Sequence, residues 1–206
     1  MTNLLISVVV SSFTPRRRKK LPFLSEIRWH GRGGQGAVTA SQILAAAALL
    51  DGKHVQAFPE FGPERAGAPV RAFTRISDEP INIHSQIYTP DVVIVIDPTL
   101  LKTVKVAEGL TKGGKLIVNS DKTPEEVKKE VNVPDAEVYT VNASRIAIDV
   151  VGRALYNTPM LGALIKATNV ASLDSITKET KTRFPGPIGD KNVEMIKRAF
   201  EGVRKA

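Results

Sequence analysis

The 206-residue chain contains no cysteine. That absence excludes disulfides, thiolate metal sites, cysteine-ligated iron–sulfur clusters and cysteine nucleophiles, so any redox carriers it works with sit on other chains. Histidine is scarce too: His30, His54 and His84 are scattered, and their spacing makes no metal-ligand pattern. Aromatics make up only 5% of residues, and no RNA-binding aromatic motif is present. The apolar stretch Leu4 to Val10, interrupted by Ser7, is too short to span a bilayer. It also lacks the order of a secretory signal, because the basic run follows it and no small-residue cleavage site does. Residues 1–22 therefore read as an extension outside the fold, and the cytoplasm is the expected compartment.

Acid is missing from one place in particular. The net charge is +8, but Arg16, Arg17, Arg18, Lys19 and Lys20 supply five of those charges and residues 1–20 hold no Asp or Glu. The remaining 186 residues thus carry only +3, a nearly balanced surface that argues against nucleic acid as the main partner. A terminal basic cluster can hold polyanions, and it can equally be a solvated tail.

What is present is enough chain for one sizeable core, in which residues 23–206 form one domain. From Ser25 onward short β-rich runs alternate with longer helical ones, as in a three-layer α/β/α domain. "EIRWH" (26–30) reads as a strand and "AVTASQILAAAALL" (37–50) as a buried helix, stopped at Asp51-Gly52 with Gly52 left-handed. "HVQAF" (54–58) and "VRAFTRI" (70–76) lie too close for a helical crossover, so they pair antiparallel. The sheet is then mixed, mostly parallel, with an antiparallel hairpin strand.

"DVVIVID" (91–97) is a run of β-branched residues expected at the centre of the sheet, covered on both faces. "KLIVNS" (115–120) is a second buried strand. Thr123, Pro124 and Glu126 then form a capping box with Pro at the first helical position. "AEVYTV" (136–141) is the last strand expected. The final third is helical, over 143–156, 159–168, 172–183 and 190–204, with "FPGPIG" (184–189) as a loop.

The loop between the first strand and helix carries Gly31, Gly33 and Gly36 in G-x-G-x-x-G spacing. Strand, glycine turn and helix are the context in which such a loop cradles a dinucleotide phosphate. A dinucleotide site also expects an acid about 20 residues on, at the end of the second strand. Asp51 ends a helix and Glu60 lies beyond a proline, and the hairpin interrupts the βαβ unit. Arg32 and Gln35 stand where such loops hold small residues. Three readings stay open from the spacing: a dinucleotide loop, a general anion or cofactor-edge loop, and a tight turn.

In the strand 70–76, Arg71, Phe73 and Arg75 share one face. That face suits an anionic ligand or an acidic partner, or else it is a solvated sheet edge balanced by Glu60 and Glu64. Gly62, Pro63, Gly67 and Pro69 would display Glu64 and Arg65 on a defined loop. His30, at the strand end, is either a proton carrier or a histidine satisfied locally, while His54 and His84 are expected at the surface. Asp97 is either at the ligand edge of the sheet or a cap for the next helix. In "NTPMLGALIKAT" (157–168), N-capped at Thr158, Gly162 and Ala163 permit close approach of a helix, from another subunit or from the chain's own core.

Four stretches taken together resemble a known family. "EIRWHGRGGQGAVTASQILAAAA", "GKHVQAFPEFGPERAGAPVRAFTRIS", "PDVVIVIDPTLL" and "NTPMLGALIKAT" are similar, in this order, to the gamma subunit of pyruvate:ferredoxin oxidoreductase. The same subunit type serves related 2-oxoacid enzymes, including the 2-oxoisovalerate one. The resemblance spans about 25–206.

It implies a required subunit of an enzyme converting pyruvate, coenzyme A and oxidised ferredoxin to acetyl-CoA, CO2 and reduced ferredoxin. It further implies alpha, beta and delta partner subunits that carry thiamine diphosphate, Mg and [4Fe-4S] clusters, with no such site and no catalytic residue in this chain. The matched positions Gly31, Arg32, Gly33, Gly34, Gln35 and Gly36, and the segment containing Glu64 and Arg65, are expected near the coenzyme A side of the active site. Arg32, Arg65 and Arg71 are the cations suited to its phosphates. A stand-alone NAD(P)-dependent dehydrogenase is the alternative from another class, followed by a nucleic-acid-binding module resting on residues 16–20.

Overall fold

The computed structural model describes residues 23–60 and 66–206. The terminal stretch 1–22 with its basic cluster, and residues 61–65 with Gly62, Glu64 and Arg65, lie outside the described residues. The elements follow in the order β1 (Leu24–Arg32), α1 (Ala37–Leu50), β2 (His54–Pro59), β3 (Pro69–Ser77), β4 (Val92–Val95) and α2 (Leu100–Thr103). After them come β5 (Lys115–Asn119), α3 (Pro124–Val131), β6 (Glu137–Val141), α4 (Ala143–Val151), α5 (Asn157–Thr168), α6 (Leu173–Arg183), α7 (Pro187–Gly202) and β7 (Arg204–Lys205).

The strands form one mixed sheet in the order β2-β3-β1-β4-β5-β6-β7. β1, β4, β5 and β6 are parallel neighbours, whereas β3 runs against β1 and β2, and β7 against β6. Five of the seven strands therefore point the same way. The expected β2/β3 hairpin is present, with Phe58 opposite Phe73. The βαβ unit, however, is split rather than lost: β2 runs parallel to β1 with α1 as the crossover, and β3 fills the place between them.

Alternation along the strands sorts the core into two layers. Val92, Ile94, Ile117, Tyr139 and Val141 point to the layer containing α1, α5, α6 and α7. Val93, Val95, Leu116, Val118 and Val138 point to the layer with Leu100 of α2 and Val127 of α3. β4 is thus central and apolar on both sides, as its unbroken β-branched run requires. Trp29, wholly buried, donates its indole N–H to Thr74 Oγ1 at 3.0 Å and so needs no water.

Local chemistry sets most boundaries. The capping box at Thr123 is complete: Thr123 Oγ1 accepts from the Glu126 N–H at 3.3 Å, and the Thr123 N–H donates to Glu126 Oε2 at 2.7 Å. Gly52, with φ +78°, is left-handed after α1. Four expectations change. α4 stops at Val151 because Gly152 turns left-handed there. Within 184–189 only the first residues are loop, since Gly186 caps α7 and Pro187 opens it. α5 starts at Asn157, and Thr158 lies inside it instead of capping it. The last helix ends at Gly202, after which Arg204 and Lys205 add an edge strand to β6.

The close helix approach at Gly162 is internal. A Cβ there would lie 2.1 Å from the Ile196 carbonyl oxygen, so the chain's own α7 occupies the space against α5.

Candidate functional site at the carboxyl edge of the sheet

β1 and β4 are adjacent and parallel, yet the chain leaves them toward opposite faces. After β1 it passes to α1 in one core layer, and after β4 to α2 in the other. Such a switch opens a crevice beyond the carboxyl ends of the two strands, the place where open α/β sheets bind ligands. Three segments meet there: the glycine loop after β1, residues 66–69 entering β3, and residues 97–99 after β4.

Asp97 ties them together. Its Oδ2 accepts from Arg32 Nε at 3.0 Å and from Gln35 Nε2 at 2.7 Å. Its Oδ1 accepts from the Thr99 N–H at 2.9 Å and from Thr99 Oγ1 at 2.6 Å. Arg32 extends the network with its remaining nitrogens, donating from Nη1 to the Gly67 carbonyl at 3.1 Å and from Nη2 to Thr99 Oγ1 at 2.8 Å. Gln35 closes the turn by accepting the Arg32 N–H at Oε1, 2.8 Å away. Burial alone would raise the Asp97 pKa, but the hydrogen bonds from Thr99 and Gln35 and the Arg32 charge outweigh it and hold the carboxyl below its ordinary range. Both earlier readings of Asp97 were partial: it lies at the ligand edge and binds the Thr99 N–H, but its main partners are the side chains of the glycine loop.

The loop backbone is bonded as well. Gly31 and Arg32 continue β1, opposite Val70 and Pro69. Gly33 donates to Ala68 O at 2.9 Å and accepts from the Gly67 N–H at 3.2 Å. Only then does the chain turn, through left-handed Gly34 (φ +92°) and Gly36 (φ +79°). A Cβ on Gly34 would meet nothing within 4 Å, whereas one on Gly36 would lie 2.6 Å from Asn157 Nδ2. The α1 N-terminus beyond Gly36 has no side-chain cap and no acid in its first turn, so its first N–H groups and positive dipole end stand uncapped at this edge of the sheet.

This geometry decides the dinucleotide reading. With β3 between β1 and β2, the end of β2 lies two strand spacings from the glycine loop, roughly 10 Å in place of 5. Glu60, the acid just past β2, is ion-paired with Arg71. Asp51 binds Ser172 Oγ at 3.0 Å and Ser175 Oγ at 2.5 Å at the start of α6. Neither acid stands where a ribose would need it.

The basic face of β3 is largely internal. Arg75 is 1% exposed and donates to Glu26 Oε1 at 2.7 Å, Gln56 Oε1 at 3.2 Å and the carbonyls of Ile83 and Gln86. Phe73 is buried against Phe58, with ring centroids 5.3 Å apart. The stretch after β3 covers this face, so Arg75 is available to neither an anionic ligand nor a partner. Arg71 lies at the outer end, held by Glu60. On the same face His30 is buried and accepts at Nε2 from Arg28 Nε at 3.1 Å. Burial first, then the Arg28 and Arg71 charges, push its pKa down to about 3. His30 is therefore a neutral acceptor rather than a proton carrier. His54 and His84 are exposed, as expected.

Beside the clamp, at the carboxyl ends of β4, β5 and β6, lies a cavity of about 630 Å³ whose wall includes Thr99, Lys102, Asn119, Lys122 and Ser144. Sequence reasoning missed it, along with Thr99 and Asn157. The signal available was positional: all but Asn157 sit at or just beyond the ends of the parallel strands. Among the described residues no group of three or more His, Cys, Asp or Glu converges as a metal ligand set, and no helix is long and apolar enough to cross a membrane.

Comparison with known proteins places this arrangement. The family model for pyruvate ferredoxin/flavodoxin oxidoreductase matches residues 26–202. The chain is 54% identical over 176 residues to the pyruvate/ketoisovalerate oxidoreductases common subunit gamma of Thermococcus litoralis, covering 85% of this chain and 95% of that one. It is 49% identical over 179 residues to the pyruvate synthase subunit PorC of Methanothermobacter marburgensis, covering 87% and 97% respectively. The crystal structure of pyruvate oxidoreductase subunit PORC from Thermotoga maritima superposes with a TM-score of 0.81 at 45% identity, over 89% of this chain and 98% of that one.

Proposed function

The chain belongs to the pyruvate ferredoxin/flavodoxin oxidoreductase family, and from that premise we propose that its carboxyl-edge crevice closes the coenzyme A side of a shared active site. It is a gamma-type subunit of a 2-oxoacid:ferredoxin oxidoreductase, with pyruvate as the proposed main substrate. The same subunit would serve a 2-oxoisovalerate complex, as the name of the Thermococcus relative implies for that protein. Residues 23–206 would act as one gamma domain, with 1–22 outside it, in the cytoplasm.

In this reading the reaction consumes pyruvate, coenzyme A and oxidised ferredoxin and yields acetyl-CoA, CO2 and reduced ferredoxin. Thiamine diphosphate with Mg supplies the carbanion chemistry, and [4Fe-4S] clusters carry the electrons, on the alpha, beta and delta subunits. A chain without cysteine suits that division. The observation that carries this chain's part is the crevice itself. Its uncapped α1 N-terminus and the turn through left-handed Gly34 offer backbone donors to a phosphate-bearing substrate, and Arg32 and Arg71, ion-paired with Asp97 and Glu60, are assigned to the same surface. Gly31, Gly33, Gln35, Gly36, Glu64 and Arg65 belong to the same proposed surface. None of these residues acts as acid, base or nucleophile; they bind and orient.

The test is reconstitution of the complex with and without this chain. The isolated chain should show no oxidoreductase activity, and the complex lacking it should lose acyl-CoA formation while regaining it on addition. Full acyl-CoA formation without the chain would refute the proposal.

A further inference from the structure

We infer that Asp97 is a positioning residue for the coenzyme A side of the reaction, and that Arg32 works with it as a fork joining three loops instead of as a free phosphate-binding charge. The inference rests on the reading that this crevice faces coenzyme A. Asp97 has 8% of its surface exposed, and its two oxygens accept four hydrogen bonds. All four donors come from the segments that define the crevice. Arg32 uses each of its three nitrogens on a different acceptor: the Asp97 carboxylate, the Gly67 carbonyl and the Thr99 hydroxyl. A planar guanidinium can hold three such acceptors at once, and a lysine ammonium on a flexible stem cannot reproduce that geometry.

Removing the carboxylate would release several segments together. The glycine loop would lose the Arg32 and Gln35 anchors, the Arg32 bond to Gly67 would lose the carboxylate that orients it, and the turn before α2 would lose its Asx bond. An amide in place of Asp97 presents an N–H to donors on one side, because donors approach both of its ends. The loops would remain attached to the sheet but would no longer share one geometry. Misplacement on the order of an ångström raises the concentration of coenzyme A needed without touching the steps that precede it.

The assay is steady-state kinetics of the whole complex carrying Asp97→Asn, Arg32→Lys, Arg32→Gln or Gly34→Val, with KM measured separately for coenzyme A and for pyruvate. The expected result for Asp97→Asn and for both Arg32 variants is a KM for coenzyme A raised about tenfold or more, with the pyruvate KM unchanged. The double variant D97N/R32K should be no worse than either single one, since both disable one network. A merely structural role would lower complex yield or kcat for every substrate and leave the KM values alone. If Arg32→Lys behaves as wild type while Arg32→Gln does not, Arg32 acts as charge and the inference is overturned. If Gly34→Val raises the coenzyme A KM and Asp97→Asn does not, the inference fails while the crevice reading stands. If none of the four moves it, the crevice reading itself fails. Should Asp97→Asn not assemble, Thr99→Val removes one arm of the clamp, keeps its backbone N–H bond to Asp97, and must show the same selective rise.

Discussion

Gly34 and Gly36 are both left-handed and two residues apart, which makes them a matched pair for separating backbone strain from crowding. Placing alanine in the left-handed region costs about 1–2 kcal/mol at either position. At Gly34 nothing lies within 4 Å of the added Cβ, so strain is the whole effect. At Gly36 the Cβ would stand 2.6 Å from Nδ2, 2.9 Å from Cγ and 3.3 Å from Cβ of Asn157, itself buried at the start of α5. The whole Asn157 side chain would have to withdraw by several tenths of an ångström, and overpacking of this kind adds roughly 1–3 kcal/mol. Gly34→Ala should therefore lower stability by about 1–2 kcal/mol and Gly36→Ala by about 2–5 kcal/mol. For a domain of this size the gap between them corresponds to a Tm difference of roughly 2–12 °C. The assay is thermal and urea unfolding of the purified chain followed by circular dichroism. Equal losses, or a larger loss at Gly34, would refute the argument that α1 and α5 are fitted to each other at Gly36.

Other outcomes follow from the same structure. His30 is buried neutral with its pKa near 3 against an ordinary 6.5, so the unfolded chain binds a proton there that the folded chain refuses. Its contribution is complete above pH 6.5 and is lost as pH falls toward 3, by about 1.4 kcal/mol per pH unit; urea midpoints between pH 7 and 5 should show the slope, and His30→Gln should flatten it. Gly162→Ala gains about 1 kcal/mol of helix propensity but drives a Cβ to 2.1 Å from the Ile196 carbonyl, an overpacking cost of roughly 1–3 kcal/mol, so a net loss of up to about 2 kcal/mol is expected, whereas Gly202→Ala, with open space, should be neutral or stabilising. Thr123→Ala removes one arm of the capping box and should lower stability by about 1 kcal/mol; no change in the unfolding midpoint would count against that assignment.

Legibility of the sequence tracked the range of the interaction. The capping box at Thr123, the stop at Gly52 and the exact extent of α1 depend on residues within a turn of one another, and the string of letters carries them. The central position of β4 was legible because only a strand covered twice can afford Val-Val-Ile-Val. Alternation correctly put Arg71, Phe73 and Arg75 on one face, but it holds no information about what lies over a face, so burial of Arg75 beneath the carbonyls of Ile83 and Gln86 was missed. The partnership of Asp97 with Arg32 and Gln35 spans more than 60 residues and has no local signature. Arg204 and Lys205 form a strand by pairing alone, since two basic residues carry no β pattern.

The strand lodged between β1 and β2 has a consequence for how the chain is built. β1 and β2 share no hydrogen bonds with each other, so the crossover between them is closed only when β3 pairs with both. Gly67, just ahead of β3, reaches Arg32 only when β3 is paired with β1. Pulse-labelled hydrogen exchange during refolding should find the amides of β1 that face β3 gaining protection no earlier than β3 itself. A subunit of this topology has no half-built crevice to offer its partners: residues 66–69 meet the glycine loop only where β3 is in place beside β1.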